Sequence, residues 1–476
     1  MSNLQDRTTA AASALFTPLG HDTHDREIGK LTASGTLPEE LNGVLFRNGP
    51  GKFNRGGKTK RTVLDGDGVI QRLEFAGGLA RYSRRFVRTP KFVEEEAADR
   101  FLSPTWTTLA PGLFTNVGQH IKSQAGVTTY TVRDALMALD EGGSPAFEID
   151  PVTLATLHPA SLGLPDDDAS PKAHAKLIAE TGDWLFASTR IGREMSIDLV
   201  RHRADGSRIA TPTVISPRIS YVHDFAATNN YAIFVLQAVR LQAIRFLTGL
   251  GSFTECLEWS PNDGNMVLLI DLATGSHQVF EAPPAWNWHM GNAYEHGDDV
   301  VVDFVGYDDP GHFLGPDAQL AAVMRCEQGV NGAPGTIRRY VLSRNGRLAE
   351  SVLADGNFEF PSIDWRAIGS QHRRLYATTN RTGGMLHTGI AALDTETGTL
   401  DCYDFGPSVN AGEPVFAADP RRGRDEGWLI TQTLDLERGT SGFSLLDAQN
   451  VAAGPVATVE LGETMPISFH GQWVAA

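Results

Sequence analysis

Cysteine is scarce in this chain. Cys256, Cys326 and Cys402 are the only three in 476 residues, too few and too far apart for a disulfide framework or a zinc–thiolate site. Basic charge is also in deficit: 41 Lys and Arg stand against 57 Asp and Glu, a formal net charge of −16. Gathering phosphates needs the opposite balance, so no nucleic-acid partner is expected. Long apolar runs are missing, and none reaches the ~20 residues of a membrane-spanning helix. The start, Met1-Ser-Asn-Leu-Gln-Asp-Arg7, has no basic stretch followed by an apolar one, so no secretory signal is read there and the cytoplasm is the default compartment. Sustained helical periodicity is rare too. Only Glu94 to Phe101, part of Leu241 to Leu250, and Asp317 to Cys326 offer short helical segments.

What the chain does have is short apolar runs punctuated by turns. Gly68 to Val87 reads as strand, Gly77-Gly78 turn, strand, while Asp205-Gly206 and Asn345-Gly346 separate further pairs of runs. Asn-Gly and Asp-Gly favour hairpins because both central positions of a type I′ turn need positive φ. A weak repeat joins Met266 to Gly275 with Ile390 to Gly398, with looser echoes at Asp150-Pro-Val-Thr153 and Asp447-Ala-Gln-Asn450. Each has the form strand, Asp-x-x-Thr/Asn turn, strand, in which the Asp can cap its own turn. Hairpins recurring throughout the chain suggest radial repetition, as in a β-propeller, with a pair of β-sandwich domains as the alternative. No linker composition divides the chain. The expected organisation is an N-terminal arm over 1–25 and a single all-β domain over 26–476. The Glu94-Glu95-Glu96 run reads as a solvated face.

Of the 14 histidines, four stand near the ends of apolar strand-like runs with aromatic or apolar neighbours: His174, His223, His289 and His470. His223 opens Tyr221-Val-His-Asp-Phe225, just before the buried-strand pattern Tyr231 to Leu236. His21, His24, His158, His202, His277 and His312 read as incidental. His120, His296 and His372 remain competitors by residue type alone. The four could share a site only if the fold makes their strands converge, as the inner strands of a propeller do. Neutral imidazole suits iron, zinc or copper; satisfied structural histidines are the alternative.

Ten short motifs then occur in a fixed order. They are Leu41-Asn-Gly-Val-Leu-Phe-Arg-Asn-Gly-Pro50, Asp65-Gly-Asp-Gly68, Arg85-Phe-Val-Arg-Thr89, Leu136-Met-Ala-Leu-Asp-Glu141 and Val222-His-Asp-Phe225. Next come Asn292-Ala-Tyr-Glu295, Phe358-Glu-Phe-Pro361, Gly412-Glu-Pro-Val-Phe416, Leu446-Asp447 and Phe469-His-Gly-Gln-Trp473. Each is weak alone, but the ordered set, spanning nearly the whole chain, resembles the carotenoid cleavage oxygenase family.

The resemblance implies a seven-bladed β-propeller with a small helical and loop cap over the iron face. It implies Fe(II) held by His174, His223, His289 and His470, with Glu141, Glu359 and Glu413 accepting hydrogen bonds from three of the imidazoles. A carboxylate on the distal N–H fixes the tautomer and strengthens the ligand. The implied activity is that of a non-haem iron dioxygenase cleaving a conjugated C=C bond of a carotenoid or apocarotenoid with O2, giving two carbonyl products, one of them a retinal-type aldehyde. The alternatives are cleavage of stilbene or phenylpropenoid alkenes, isomerase chemistry as in distant animal relatives, or a propeller that only binds a hydrophobic ligand. Tyr221, Trp288, Phe360 and Asp140 occupy positions that line the substrate tunnel in relatives. The segment 241–253 matches a patch that could touch a membrane. The chain departs from the family pattern at Ala175, where His-Pro is usual, and at Val127, where a polar residue is usual. Asp140 is a third departure, since lysine or an aromatic residue stands there in relatives.

Overall fold

The computed structural model describes residues 22–112, 114–118, 121–141, 145–164, 170–315, 319–324, 332–380 and 383–476. His21, His120, Cys326, most of the N-terminal arm and the flanks of the 317–326 segment lie outside the described residues. Short alternating runs become strands because residues two apart share a face, and one face of each run is apolar. Among the described residues their hairpins assemble into seven antiparallel sheets of four to six strands, arranged as the blades of a propeller, beside two small two-stranded ribbons. Across Gly77-Gly78, whose φ angles are +54° and +71°, strand Asp67–Ala76 pairs with Leu79–Phe86. The turns at Asp205-Gly206 and Asn345-Gly346 likewise join Met195–His202 to Arg208–Ile215 and Thr336–Ser343 to Arg347–Ala354.

The Asp-x-x-Thr repeat marks one corner of the blade. In blades 2, 4, 6 and 7 it links the third strand from the axis to the fourth. Asp271 Oδ1 accepts from the backbone N–H groups of Ala273 and Thr274 at 3.0 and 2.8 Å. Asp394 and Asp150 do the same in their own turns.

Counting from the first hairpin, the innermost strands are His470–Ala475, Thr128–Val132, the split pair Ser170–Pro171 and Lys176–Ile178, and Ala226–Ala227. Trp286–His296, Phe358–Ser362 and the split pair Val409–Ala411 and Val415–Ala418 complete the circle. Two exchanges close it. The C-terminal strand His470–Ala475 is the inner strand of blade 1, paired with Gly43–Lys52, and Thr32–Gly35 is the outer strand of blade 7, paired with Pro455–Glu460. The apolar core lies between neighbouring blades. Leu185, Ala187, Ile197 and Leu199 of blade 3, for example, pack on Phe225, Phe234, Leu268 and Ile270 of blade 4. At about 25 cal/mol per Å² of apolar area removed from water, each such seam is a major stabilising contact.

Insertions between blades carry the cap. Among the described residues the longest helix is Pro90–Ala98, started by Thr89, whose Oγ1 accepts from Phe92 N at 3.0 Å, with Pro90 in its first turn. It ends at Asp99, in the left-handed region at φ 44°. The expected segment Glu94 to Phe101 is thus shifted toward the N-terminus. The Glu94-Glu95-Glu96 reading needs correction: Glu94 and Glu96 are exposed, but Glu95 is fully buried. Its carboxylate meets Lys91 Nζ at 3.0 Å, and Lys91 and Arg55 both reach Asp67 at 2.7 Å. Buried charges persist only when paired in this way. Gly68, beside that network, is obligatory because a Cβ there would stand 2.2 Å from the Ala125 carbonyl oxygen. The other α-helices among the described residues, Ala243–Leu247 and Gln319–Met324, are short. Among the described residues no helix is long and apolar enough to cross a membrane.

Candidate metal centre and its cavity

The inner strands bring His174, His223, His289 and His470 together on the propeller axis. His174 lies where the inner strand of blade 3 is interrupted between Pro171 and Lys176; His223 precedes Ala226–Ala227; His289 lies within Trp286–His296; His470 opens the C-terminal strand. One nitrogen from each of His174, His223 and His289 falls within 4.8 Å of the others. The His470 ring centroid is 4.6 Å from those of both His174 and His289. His174 Nε2 and His223 Nε2 are 3.2 Å apart.

Three carboxylates set the tautomers. His223 Nδ1 meets Glu141 Oε2 at 2.5 Å, His289 Nδ1 meets Glu359 Oε2 at 2.5 Å, and His470 Nδ1 meets Glu413 Oε1 at 2.9 Å. An ionised carboxylate can only accept, so each Nδ1 carries a proton, and in the neutral ring Nε2 is then the lone pair left to bind a metal. Burial opposes ionisation of the glutamates, but the imidazoles and other donors overcome it. Glu141 and Glu413 fall below the usual carboxylate range, and Glu359 falls to about 2. Burial, then the neighbouring imidazoles, drives His174 well below its ordinary value. Lone pairs converging on one point with no proton between them are what a soft-to-borderline cation satisfies. The donor set of His174, His223 and His289 fits a metal ion.

Four residues that local sequence signals did not single out support it. Lys172 Nζ donates to Glu141 Oε1 at 2.9 Å and to the Val222 carbonyl at 2.7 Å, so both Glu141 oxygens are occupied. The fully buried Arg47 donates from Nη1 to the Glu413 carbonyl at 2.9 Å and from Nε to Ser468 Oγ at 2.6 Å. That ties the Glu413 turn to the approach of His470. Tyr307 borders the cavity beside Glu359, and His312, read above as incidental, accepts from Trp288 Nε1 at 2.8 Å.

Each blade supplies one of the seven polar residues around the axis. His470, Glu141, His174, His223, His289, Glu359 and Glu413 come from blades 1 to 7 in that order.

Over the cluster lies a cavity of about 1370 Å³, counting its open mouth. Tyr221, Trp288 and Phe360 border it, with Trp106, Phe313 and Leu320 from the cap. Trp288 meets the His223 ring edge-on at 4.9 Å, and Phe360 stacks on His289 at 5.1 Å. Phe360 has φ 52°, a left-handed backbone unusual for an aromatic residue. This turn lets its N–H reach back to Glu359 Oε2 while its ring covers His289. Val127 also borders the cavity. Asp140 does not. It is buried beside Glu141, accepts from Gln124 N at 2.6 Å, and is pushed up to about 7, chiefly by burial. Ala175 is buried, and the strand resumes at Lys176. His296 is exposed at a strand end, and His372 pairs with Asp303 at 3.2 Å, away from the cluster.

Comparison with known proteins agrees in extent. The family model described as Retinal pigment epithelial membrane protein matches residues 16–475. Apocarotenoid-15,15'-oxygenase from Synechocystis is 28% identical over 92% of this chain and 91% of its own length. Isoeugenol monooxygenase from Pseudomonas nitroreducens is 25% identical, covering 94% and 95%. The crystal structure of cobalt-substituted Synechocystis ACO superposes with a TM-score of 0.91 at 24% identity over 98% of this chain and 99% of that one, a likeness of fold. With ten motifs in order and a propeller converging histidines on its axis, the chain belongs to the retinal pigment epithelial membrane protein family of carotenoid cleavage oxygenases.

Proposed function

We propose that the chain binds Fe(II) through His174, His223, His289 and His470 and cleaves a conjugated C=C bond of an apocarotenoid with O2, leaving two carbonyl products. One observation carries this reading: bare imidazole lone pairs converge at the floor of an aromatic-lined cavity. When bound, ferrous iron supplies the electrons that let O2 react with an electron-rich alkene. The chain supplies the rest. Trp288 and Phe360 offer flat apolar faces against which a polyene packs close to the histidines. Glu141, Glu359 and Glu413 hold the imidazole tautomers, and Lys172 and Arg47 hold the carboxylates. The cap excludes water, which strengthens every electrostatic contact inside.

Delivery of an apolar substrate also has a structural counterpart. Ile244, Leu247 and Leu250 are exposed beside Phe114 and Val117, and Gly118 N donates to the Leu247 carbonyl at 3.0 Å, joining the two segments. From this patch an aromatic series runs inward, Phe246 to Phe253 at 5.8 Å and Phe253 to Trp106 at 4.9 Å. A patch of this kind binds a lipid surface peripherally and takes up dissolved polyene.

The test is incubation of iron-loaded protein in air with a long apocarotenal, and separately with a phenylpropenoid alkene and a hydroxylated stilbene. Retinal-type aldehyde, formed with consumption of O2, is expected from the first. Aromatic aldehyde from the others alone would move the substrate to the phenylpropenoid class. No product from any, with iron bound, would overturn the reaction.

A further inference from the structure

One built polar feature of the cavity has no part in that reaction scheme. His387 and Asn410 border the cavity, 8% and 5% exposed. Thr378 Oγ1 donates its single proton to the Glu359 carbonyl at 2.9 Å. Toward His387 Nδ1, 2.7 Å away, the same oxygen must therefore accept. Nδ1 holds the imidazole proton, and Nε2 is a lone pair that meets no partner among the described residues. Asn410 Nδ2 donates to the His387 carbonyl at 2.9 Å, which fixes the amide orientation and leaves Oδ1 a second acceptor without a partner there. Burial drives the His387 imidazole down to about 4, so it is neutral at neutral pH.

Two neutral acceptors in a largely apolar wall call for a donor, since a buried acceptor left unmet costs about 1–3 kcal/mol. A carbonyl or ether oxygen brings no proton, and a cation finds no charge at these two groups. Such acceptors can be met by a water, and a ligand hydroxyl can replace a water there without loss. A hydrocarbon end cannot. We propose that His387 Nε2 and Asn410 Oδ1 form a subsite for the hydroxyl-bearing end of the alkene, making His387 a specificity-determining residue. The inference rests on the proposed reaction for its substrate and deepens it.

Quenching of Trp106 and Trp288 fluorescence, both on the cavity wall, reports binding by anaerobic iron-loaded protein without turnover. Two ligand pairs are compared: a ring-hydroxylated apocarotenal with its deoxy counterpart, and 4-hydroxystilbene with stilbene. The hydroxylated member of at least one pair should bind about tenfold tighter, the value of one net hydrogen bond. The pair that responds tells an alcohol from a phenol. His387→Phe should abolish the difference, and His387→Gln, whose amide oxygen accepts, should keep part of it. Asn410→Leu carries the same test if His387→Phe does not fold. Equal binding within both pairs, or a preference that survives His387→Phe, would overturn the subsite. The same ligands incubated in air test the reaction separately. A hydroxyl preference without cleavage removes the reaction and leaves the subsite, and cleavage without preference does the reverse.

Discussion

Each glutamate acts through one imidazole. Glu359→Gln keeps the shape but makes the group on His289 Nδ1 neutral, so the imidazole becomes a weaker ligand. Metal affinity should drop about 10- to 100-fold, read by competition with a chromophoric chelator; unchanged affinity would mean that the carboxylate has no part in holding the metal. His312 and His387 carry a second expectation. Burial holds both at about 4, against 6.5 for an ordinary histidine. Between those values the unfolded chain takes up protons that the folded chain refuses. Stability therefore falls as pH falls from 6.5 toward 4, by roughly 3 kcal/mol for each histidine, and levels off below. Urea unfolding at pH 7 and pH 4.5 measures it, and His387→Phe should show the smaller loss. The four clustered histidines were legible because each stands near an apolar strand-like run, and His223 and His470 also lie in the ordered motifs. His387 was not, because its role comes from Thr378 and Asn410, which only the folded blade 6 and its neighbour bring alongside.

Among elements, turn chemistry read directly from sequence, since Asp271, Asp394 and Asp150 satisfy their own backbone within three residues. Burial of charge did not. Glu95 lies in a run of three identical residues, and only the helical turn that faces it toward Lys91 and Arg55 separates it from its exposed neighbours. The segment Ala243–Leu247 has no buried residue, so its apolar side chains cost little to change. Ile244→Glu combined with Leu250→Glu should abolish co-sedimentation with phospholipid vesicles while shifting the melting temperature by only a degree or two. Retained vesicle binding would assign the patch another use.

For the whole molecule, the decisive element is the last strand. Residues 470–475 close blade 1 against Gly43–Lys52 and also carry His470. Deleting 470–476 should cost both the seam and the metal: one cooperative unfolding transition becomes broad, and limited proteolysis reaches strands in blades 1 and 7 first. A sharp transition kept after deletion would show that closure contributes little. Radial repetition was legible in the recurring hairpins, but their register around the axis was not. Nothing within Thr32–Gly35 signals that it will complete a blade whose other strands lie more than 370 residues further along.

The contribution of one polar residue by every blade has a mechanical meaning. A bound ion is the hub of a wheel whose spokes are anchored in separate rim segments, so no rim joint can widen without straining a spoke. Blade-to-blade packing is non-directional and yields gradually, whereas coordinate bonds yield abruptly. Metal occupancy should therefore govern how long the molecule lasts more than how stable it is at equilibrium: stripping the ion shortens lifetime at elevated temperature even where the strands remain paired.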